Sequence, residues 1–333
     1  MSLATTYLGL ALASPLVASA SPLSAKLDNL RRLEDAGAAA IVLPSLFQEQ
    51  IEAEAAARDS RMDFYAESSP EALSYFPASS KGPYGLGPEH YLNLVRRGTE
   101  AVSIPIIASL NGSSRAGWIE YARLIEQAGA AALELNMYHV PTDLTESGRD
   151  IEGRYIDIVE GICGSIGLPV SVKLTPYLSS IGHFAATLVA HGARGLVLFN
   201  RSLQPDIDLM RMTLTDTLEL SQPNEMRLPL LWTAILAGRV KASLAASTGV
   251  ATATEVVKYL LAGADVVMTT SALLAHDAGY MSTLTNGLRA WMDEREIATL
   301  ADMRGMMSWQ RSRDPSVYTR ANYLRILERY ATT

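Results

Sequence analysis

Residues 128–137 read AGAAALELNM, and the same phrase returns three times, as AGAAAIVLPS at 36–45, HGARGLVLFN at 191–200 and AGADVVMTTS at 262–271. Each copy joins a helix end, through Gly-Ala or its equivalent, to a short apolar run. Gly37, Gly129, Gly192 and Gly263 are therefore predicted just past helix C-termini, where the backbone turns left-handed and a side chain is penalised. The runs that follow are continuous rather than alternating, which is the pattern of parallel strands covered on both faces. Four further runs have this character: SPLVASA (14–20), IPIIASLNG (104–112), LPVSVKLTP (168–176) and KASLAASTGV (241–250).

Eight strands result, and the segments between them carry helical spacing. SAKLDNLRRLEDAGA places Leu27, Leu30 and Leu33 on one face, and RAGWIEYARLIEQAGA does the same with Trp118, Tyr121, Leu124 and Ile125. Strands alternating with helices over this length predict an α/β fold, a (β/α)8 TIM barrel, with a doubly wound sheet as the runner-up. No strand is followed by the glycine fingerprint of a dinucleotide fold, and the G-x-G of YGLGPEHYL (84–92) is too short to count. Residues 46–103 and 201–231 interrupt the repeat and are read as long βα insertions. The barrel is expected over 1–293, with 294–333 as a C-terminal helical extension packed on it. Tyr323, Leu327 and Tyr330 in that extension have core-like spacing and are read as covering the barrel or forming a homodimer contact.

Composition narrows the function classes. Of 333 residues, 48% are hydrophobic and 19% charged, enough apolar material for a large core. With 28 basic against 35 acidic residues and no basic cluster, nucleic acid is not an expected partner. No stretch has the roughly 20 apolar residues of a membrane span, and no Lys or Arg precedes residue 26 to start a secretory signal. The chain is accordingly expected to be soluble and cytoplasmic, without a membrane partner. Cys163 is the single cysteine, so neither a disulfide framework nor a multi-cysteine metal site is available and no metal is expected. It is read as packing on a helix.

In a barrel of this kind chemistry gathers at the C-terminal ends of the strands. Those ends carry Ser19, Ala20 and Ser21; Pro44 and Ser45; Asn111; Asn136, Tyr138 and His139; Lys173 and Thr175; Asn200 and Arg201; Thr248 and Gly249; Thr270 and Ser271. Hydroxyls and free N–H groups at strands seven and eight are how barrels hold a phosphate, although Thr252 or Thr254 could be doing no more than capping the next helix. Lys173, in VSVKLTP, should project into the barrel mouth. There it would serve as a Schiff-base nucleophile or as a fixed cation beside developing negative charge, unless its stem is merely structural. His139 would titrate near neutrality and so could take a proton without special activation, although a loop histidine is more often a surface residue.

PLVASASPLS, LELNMYHVP, VSVKLTPYLS, LVLFNRS and STGVATATEVVKYLLAGADVVMTTSALL resemble, in order and spacing, the strand ends of class 1 dihydroorotate dehydrogenases, FMN enzymes with a (β/α)8 fold. The resemblance covers roughly residues 1–290. It implies that FMN is the cofactor and that the reaction is a CH–CH oxidation, dihydroorotate to orotate in pyrimidine biosynthesis or a related small carboxylate. Under it, Lys173 lies near flavin N1 and Asn136 and Asn200 face both flavin and substrate. Ser19, Ala20, Ser45 and Asn111 line the flavin, and Thr248, Gly249, Thr270 and Ser271 hold its phosphate. His139 falls on the family's catalytic cysteine, Pro141 on an asparagine, Pro44 on a lysine and Thr248 on a usual glycine. Arg201 is read as a partner for a substrate carboxylate. Any iron–sulfur relay would belong to a redox partner protein. The rival readings are a class I aldolase using Lys173 and a nucleotide-binding barrel that has lost catalysis.

Overall fold

The structure, a computed structural model, describes residues 1–48, 50–51, 88–111, 115–138, 140–201, 205–215, 217–319 and 321–331, with side chains except at 115–117, 321 and 331. The chain opens on an antiparallel hairpin, β1 (Thr5–Tyr7) and β2 (Leu10–Leu12). Eight parallel strands then close into a barrel: β3 (Leu16–Ala18), β4 (Ala40–Phe47), β5 (Ile106–Asn111), β6 (Ala132–Asn136), β7 (Val170–Leu174), β8 (Gly195–Leu198) and, after the small hairpin β9 (Asp206–Asp208) and β10 (Thr213–Thr215), β11 (Ser243–Ala246) and β12 (Val266–Thr269), which pairs back to β3. All eight expected runs contribute a barrel strand, and closure rules out the doubly wound alternative. The four hairpin strands are additions that the repeat did not announce.

Helices α1 (Leu27–Asp35), α2 (Pro88–Ala101), α3 (Arg115–Gln127), α4 (Gly148–Cys163), α5 (Ile181–Ala190), α6 (Arg227–Leu236) and α7 (Ala253–Ala262) separate consecutive barrel strands. Short α8 (Ser271–His276) and longer α9 (Tyr280–Glu294) follow β12. Gly37, Gly129, Gly192 and Gly263 all have φ between 92° and 119°, the left-handed turn expected of them. Cys163 is the last residue of α4, and burial pushes its thiol up to about 11, as suits a packing residue.

Alternation along the strands sorts the side chains. Leu16, Ile41, Ala108, Leu133, Val172, Leu196, Leu244 and Val267 face the helices. Val17, Val42, Ile107, Ala132, Val197, Ala245 and Val266 face inward, against Tyr7, Leu8 and Leu12 of the opening hairpin. That hairpin is the floor of the barrel. Gly195 makes room for it, since a Cβ there would stand 2.5 Å from Leu8 Cδ2. Leu8 N donates to Ser243 Oγ at 3.0 Å and Thr5 Oγ1 to the Asp265 carbonyl at 3.0 Å. Burying each of Tyr7, Leu8 and Leu12 stabilises the closure by about 1.5–3 kcal/mol.

The C-terminal segment answers one of the two readings given to it, since the helix carrying Tyr323 does not cover the barrel with its apolar residues. Met303, in the short helix α10 (Leu300–Met303), is buried, and Gly305 N and Trp309 N donate to the Leu260 and Ala234 carbonyls. In α11 (Ala321–Ala331), however, Tyr323, Leu327 and Tyr330 are exposed, so core-like spacing there does not mean core. A helix presents an apolar stripe from sequence alone, but burial requires a surface opposite it.

Candidate active site

Above the apolar floor, the inward positions change character. Ser45, Ser109, Glu134 and Ser171 come next, linked by register from β4 to β7, and Asn111, Asn136 and Lys173 stand one inward position higher. Pro44 helps set this arrangement. A proline inside a strand cannot donate to the ladder, and the β4–β5 register shifts between Val42 and Ser45, bringing Ser45 opposite Ser109.

Side-chain amides form a rail across these ends. Asn200 Nδ2 donates to Asn136 Oδ1 at 2.6 Å, Asn136 Nδ2 donates to Ser45 Oγ at 3.2 Å, and Ser45 Oγ lies 2.8 Å from Ser109 Oγ. The Nδ2 of Asn111, buried beside them, has no partner among the described residues. Lys173, 9% exposed, carries its ammonium at 3.5 Å from Ser19 Oγ, a long contact, and 4.0 Å from Glu134 Oε1. Glu134 is fully buried, and burial raises its carboxyl above the ordinary range while the Lys173 charge works against that rise.

A cavity of about 670 Å³ opens over this layer, within the size range of small-molecule sites. Ser19, Ala20, Asn136, Lys173, Asn200, Arg201, Thr248, Thr270 and Ser271 all line it, so most of the residues singled out in the sequence converge. Ser45 and Asn111 stand behind it, and Ser45 reaches it through Asn136. Phe47, Phe199, Val250, Met268 and Leu274 supply an apolar lining, and Tyr138 is part of the wall. His139 lies outside the described residues, as do Gly112 and the stretch 79–87. A larger open groove of about 1200 Å³ sits at the opposite end, beneath the N-terminal ends of the strands and lined by Thr5, Arg194 and Lys241. The smaller cavity is the candidate because the amides and the buried lysine face it.

At strands β11 and β12 the expected hydroxyl cluster is present, with an unforeseen member. Ser221, from the insertion after β8, accepts from Gly249 N at 3.1 Å, donates its own N–H to Ser271 Oγ at 3.0 Å, and has its hydroxyl 2.9 Å from that of Ser271. Gly249 itself stands behind the lining with φ 72°, and a Cβ there would lie 2.8 Å from the Gln222 carbonyl. Thr248 also has positive φ, 79°, which a β-branched residue adopts only at a cost. Its turn is tied down by Tyr259, whose phenol reaches the Ser247 and Thr248 carbonyls at 3.0 and 2.7 Å. Ser247 Oγ donates to the Phe199 carbonyl at 2.7 Å and Thr270 Oγ1 to that of Ala20 at 3.4 Å. Thr252 is the N-cap of α7, in a capping box with Glu255, which settles its role as structural.

Arg201 lines the cavity already partnered. Rather than presenting a free fork, its Nε donates to Glu225 Oε2 at 2.8 Å, Nη2 to Glu225 Oε1 at 3.4 Å and Nη1 to the Glu219 carbonyl. The pair stands where the main cavity meets a neighbour of about 440 Å³ that runs to Tyr177 and Asp206. Glu225, Ser221, Tyr259 and Glu134 carry no local signal of their roles. The first two lie in an insertion without periodicity, Tyr259 sits in an apolar helix face where it reads as packing, and Glu134 is a single charge within the apolar LELN strand, the one local sign of a charge inside the barrel.

The family model described as dihydroorotate dehydrogenase matches residues 85–292. The catalytic subunit of dihydroorotate dehydrogenase B (NAD(+)) from Halalkalibacterium halodurans is 29% identical over 63% of this chain and 70% of its own length. That from Cutibacterium acnes is 27% identical over 60% and 67%. Dihydroorotate dehydrogenase A (fumarate) from Lactobacillus delbrueckii subsp. bulgaricus is 27% identical over 62% and 69%.

Proposed function

The chain belongs to the dihydroorotate dehydrogenase family, and from that premise we propose that it is an FMN-dependent oxidoreductase that oxidises a CH–CH bond of a small carboxylate substrate, with dihydroorotate to orotate as the parent reaction. The observation that carries this reading is Lys173: a nearly buried ammonium in the wall of the cavity, beside an amide rail and without a short hydrogen bond. Family membership also weighs against the aldolase and the lapsed-barrel alternatives.

FMN suits the residues present. The apolar lining by Phe199 and Met268 accepts a planar ring, the buried Asn111 amide just behind it has no acceptor among the described residues, and Ser271, whose oxygen accepts from Ser221 N and Oγ, keeps its own O–H for a phosphate. When bound, FMN supplies the two-electron acceptor. The chain's own residues do the rest. Lys173 holds positive charge where negative charge develops on reduction. Asn136 and Asn200 fix the orientation of the substrate edge, while Ser19, Ala20 and Ser45 complete the ring's surroundings. Thr248 and Thr270 bound the phosphate end. His139, next in the chain after Tyr138 in the cavity wall, is the proposed proton acceptor from the substrate carbon. Arg201 has five N–H donors, of which Glu225 and Glu219 take three, so two are left for a carboxylate.

No helix among the described residues is long and apolar enough to cross a membrane. Some relatives are named as catalytic subunits, and a separate redox protein is proposed here as the electron acceptor's carrier. The visible spectrum of the purified protein is the first test. Flavin absorbance, native or acquired from added FMN, is the expected result, and a colourless protein that does not take up FMN would overturn the reading. Anaerobic bleaching by dihydroorotate then tests the parent substrate. Pro44 and Pro141 supply no side-chain donor where the family has a lysine and an amide, and each unpaired buried polar group costs about 1–3 kcal/mol, so orotate is expected to bind weakly.

A further inference from the structure

The middle of the barrel holds an acid that the proposed chemistry does not use. Both carboxylate oxygens of Glu134 are buried and without a hydrogen-bond partner among the described residues. Among the described residues, three titratable groups bear on it. Lys173 comes from β7, with Nζ 4.0 Å from Oε1. Tyr7 comes from the floor hairpin, with its own phenol buried and unpartnered. Tyr91 comes from α2, with its phenol donating to the Ser109 carbonyl at 3.0 Å and accepting from Ser109 N at 2.7 Å. The two phenols are pushed up first by burial and further by the negative charge of Glu134, so neither ionises to compete with it.

One positive charge therefore serves two claims. An unsolvated carboxylate inside a barrel is sustained only by a near cation, and the near cation is the one that lines the cavity. If negative charge appears above Lys173, the ammonium is drawn to it and the carboxylate below loses its compensation. A buried acid in that position neutralises itself by binding a proton.

We propose that Glu134 is a positioning residue that shares the charge of Lys173 while the cavity carries none and binds a proton from solvent when negative charge develops above the ammonium. This rests on the reading of the cavity as a flavin site. In the balance, reducing bound FMN by two electrons brings one proton to the flavin and a second to Glu134 Oε, with the electrons coming from the electrode or mediator. No bond to Lys173 is made or broken.

Spectroelectrochemical titration of the FMN-loaded protein at successive pH values tests it. The expected wild-type midpoint falls with pH with the slope of two protons per two electrons over part of the range above the ordinary carboxylate value, since burial raises this carboxyl. Glu134→Gln keeps the shape without the acid and should show the slope of one proton throughout. Should the Gln variant fail to fold, wild-type infrared difference spectra decide instead, through a buried carboxylic-acid C=O band gained on reduction. A one-proton slope in wild type, a slope unchanged in the variant, or no gained band each overturns the proposal while the flavin reading stands. Failure to bind FMN at all overturns both.

Discussion

Asn200 Nδ2 and Asn136 Oδ1 are 2.6 Å apart, a hydrogen bond that ties the end of β8 to the end of β6 across the intervening β7. Lys173 rises from that bridged strand. The amide rail thus spans the residue whose charge matters most, and the same hydrogen bond that orders the two asparagines limits where a ligand can sit beside the ammonium.

Removing one link should show this. Asn136→Ala leaves Asn200 Nδ2 without its acceptor and Ser45 without its donor, at about 1–3 kcal/mol for each unsatisfied buried group. The expected outcome is a lower urea midpoint together with FMN affinity reduced at least tenfold. A variant that binds FMN as tightly as wild type would show the rail to be structural only.

Lys173→Met keeps much of the aliphatic stem and removes the charge. Losing a preorganised partner for charge that develops in the transition state costs on the order of 3 kcal/mol, about a hundredfold in rate. Anaerobic stopped-flow reduction, with a substrate in hand, measures it, while the circular dichroism spectrum should stay as in wild type.

Thr248 offers a substitution expected to stabilise. Its φ of 79° costs a side-chain-bearing residue roughly 1–2 kcal/mol, which exceeds the roughly 0.5–1 kcal/mol of extra chain entropy that glycine loses on folding. Its own hydroxyl contributes little, at 3.4 Å from the Phe199 carbonyl. Thr248→Gly should therefore raise the melting temperature and retain FMN. Thr248→Glu, placing like charge beside the phosphate, should fold and lose FMN on dialysis.

The Arg201–Glu225 pair predicts a pH dependence. Burial pushes the Glu225 carboxyl up, but hydrogen bonds from Arg201 and from Gln222 N outweigh it and hold the group below the ordinary range. A carboxyl lowered in the folded state contributes its full stabilisation above the unfolded value and loses it as pH falls through the folded value. The gap in urea midpoint between wild type and Arg201→Gln should be widest near neutrality and narrow as pH falls below the ordinary carboxylate range. A gap that is constant with pH would mean that Arg201 acts through packing.

The sequence carried the barrel because its signals were local and repeated. A glycine turn and an apolar run occupy about ten residues, and the phrase containing Gly129 needs nothing distant to be read. Strand ends were equally legible, which is why Lys173, Asn136 and Asn200 were found. Residues that act through remote partners were not. Ser221 meets Ser271 across 50 positions and Gly249 across 28, so no window of sequence contains the contact. The Glu225 partner of Arg201 is hidden for the same reason, since it lies 24 residues away in an insertion without a period. The exposed Tyr323 is the reverse case, a local apolar pattern that does not itself say which surface covers it.

The floor hairpin sets an order of events during synthesis. Leu8 N bonds a serine 235 residues further on, and Thr5 Oγ1 a carbonyl 260 residues further on. During synthesis Tyr7, Leu8 and Leu12 therefore wait uncovered until the segments carrying Ser243 and Asp265 have followed them. Contacts of such separation form late and leave sticky surface exposed meanwhile. The nascent chain is thus a customer for chaperones that shield uncovered apolar segments, and a bulky group joined to the hairpin would burden the closing step rather than the catalytic one.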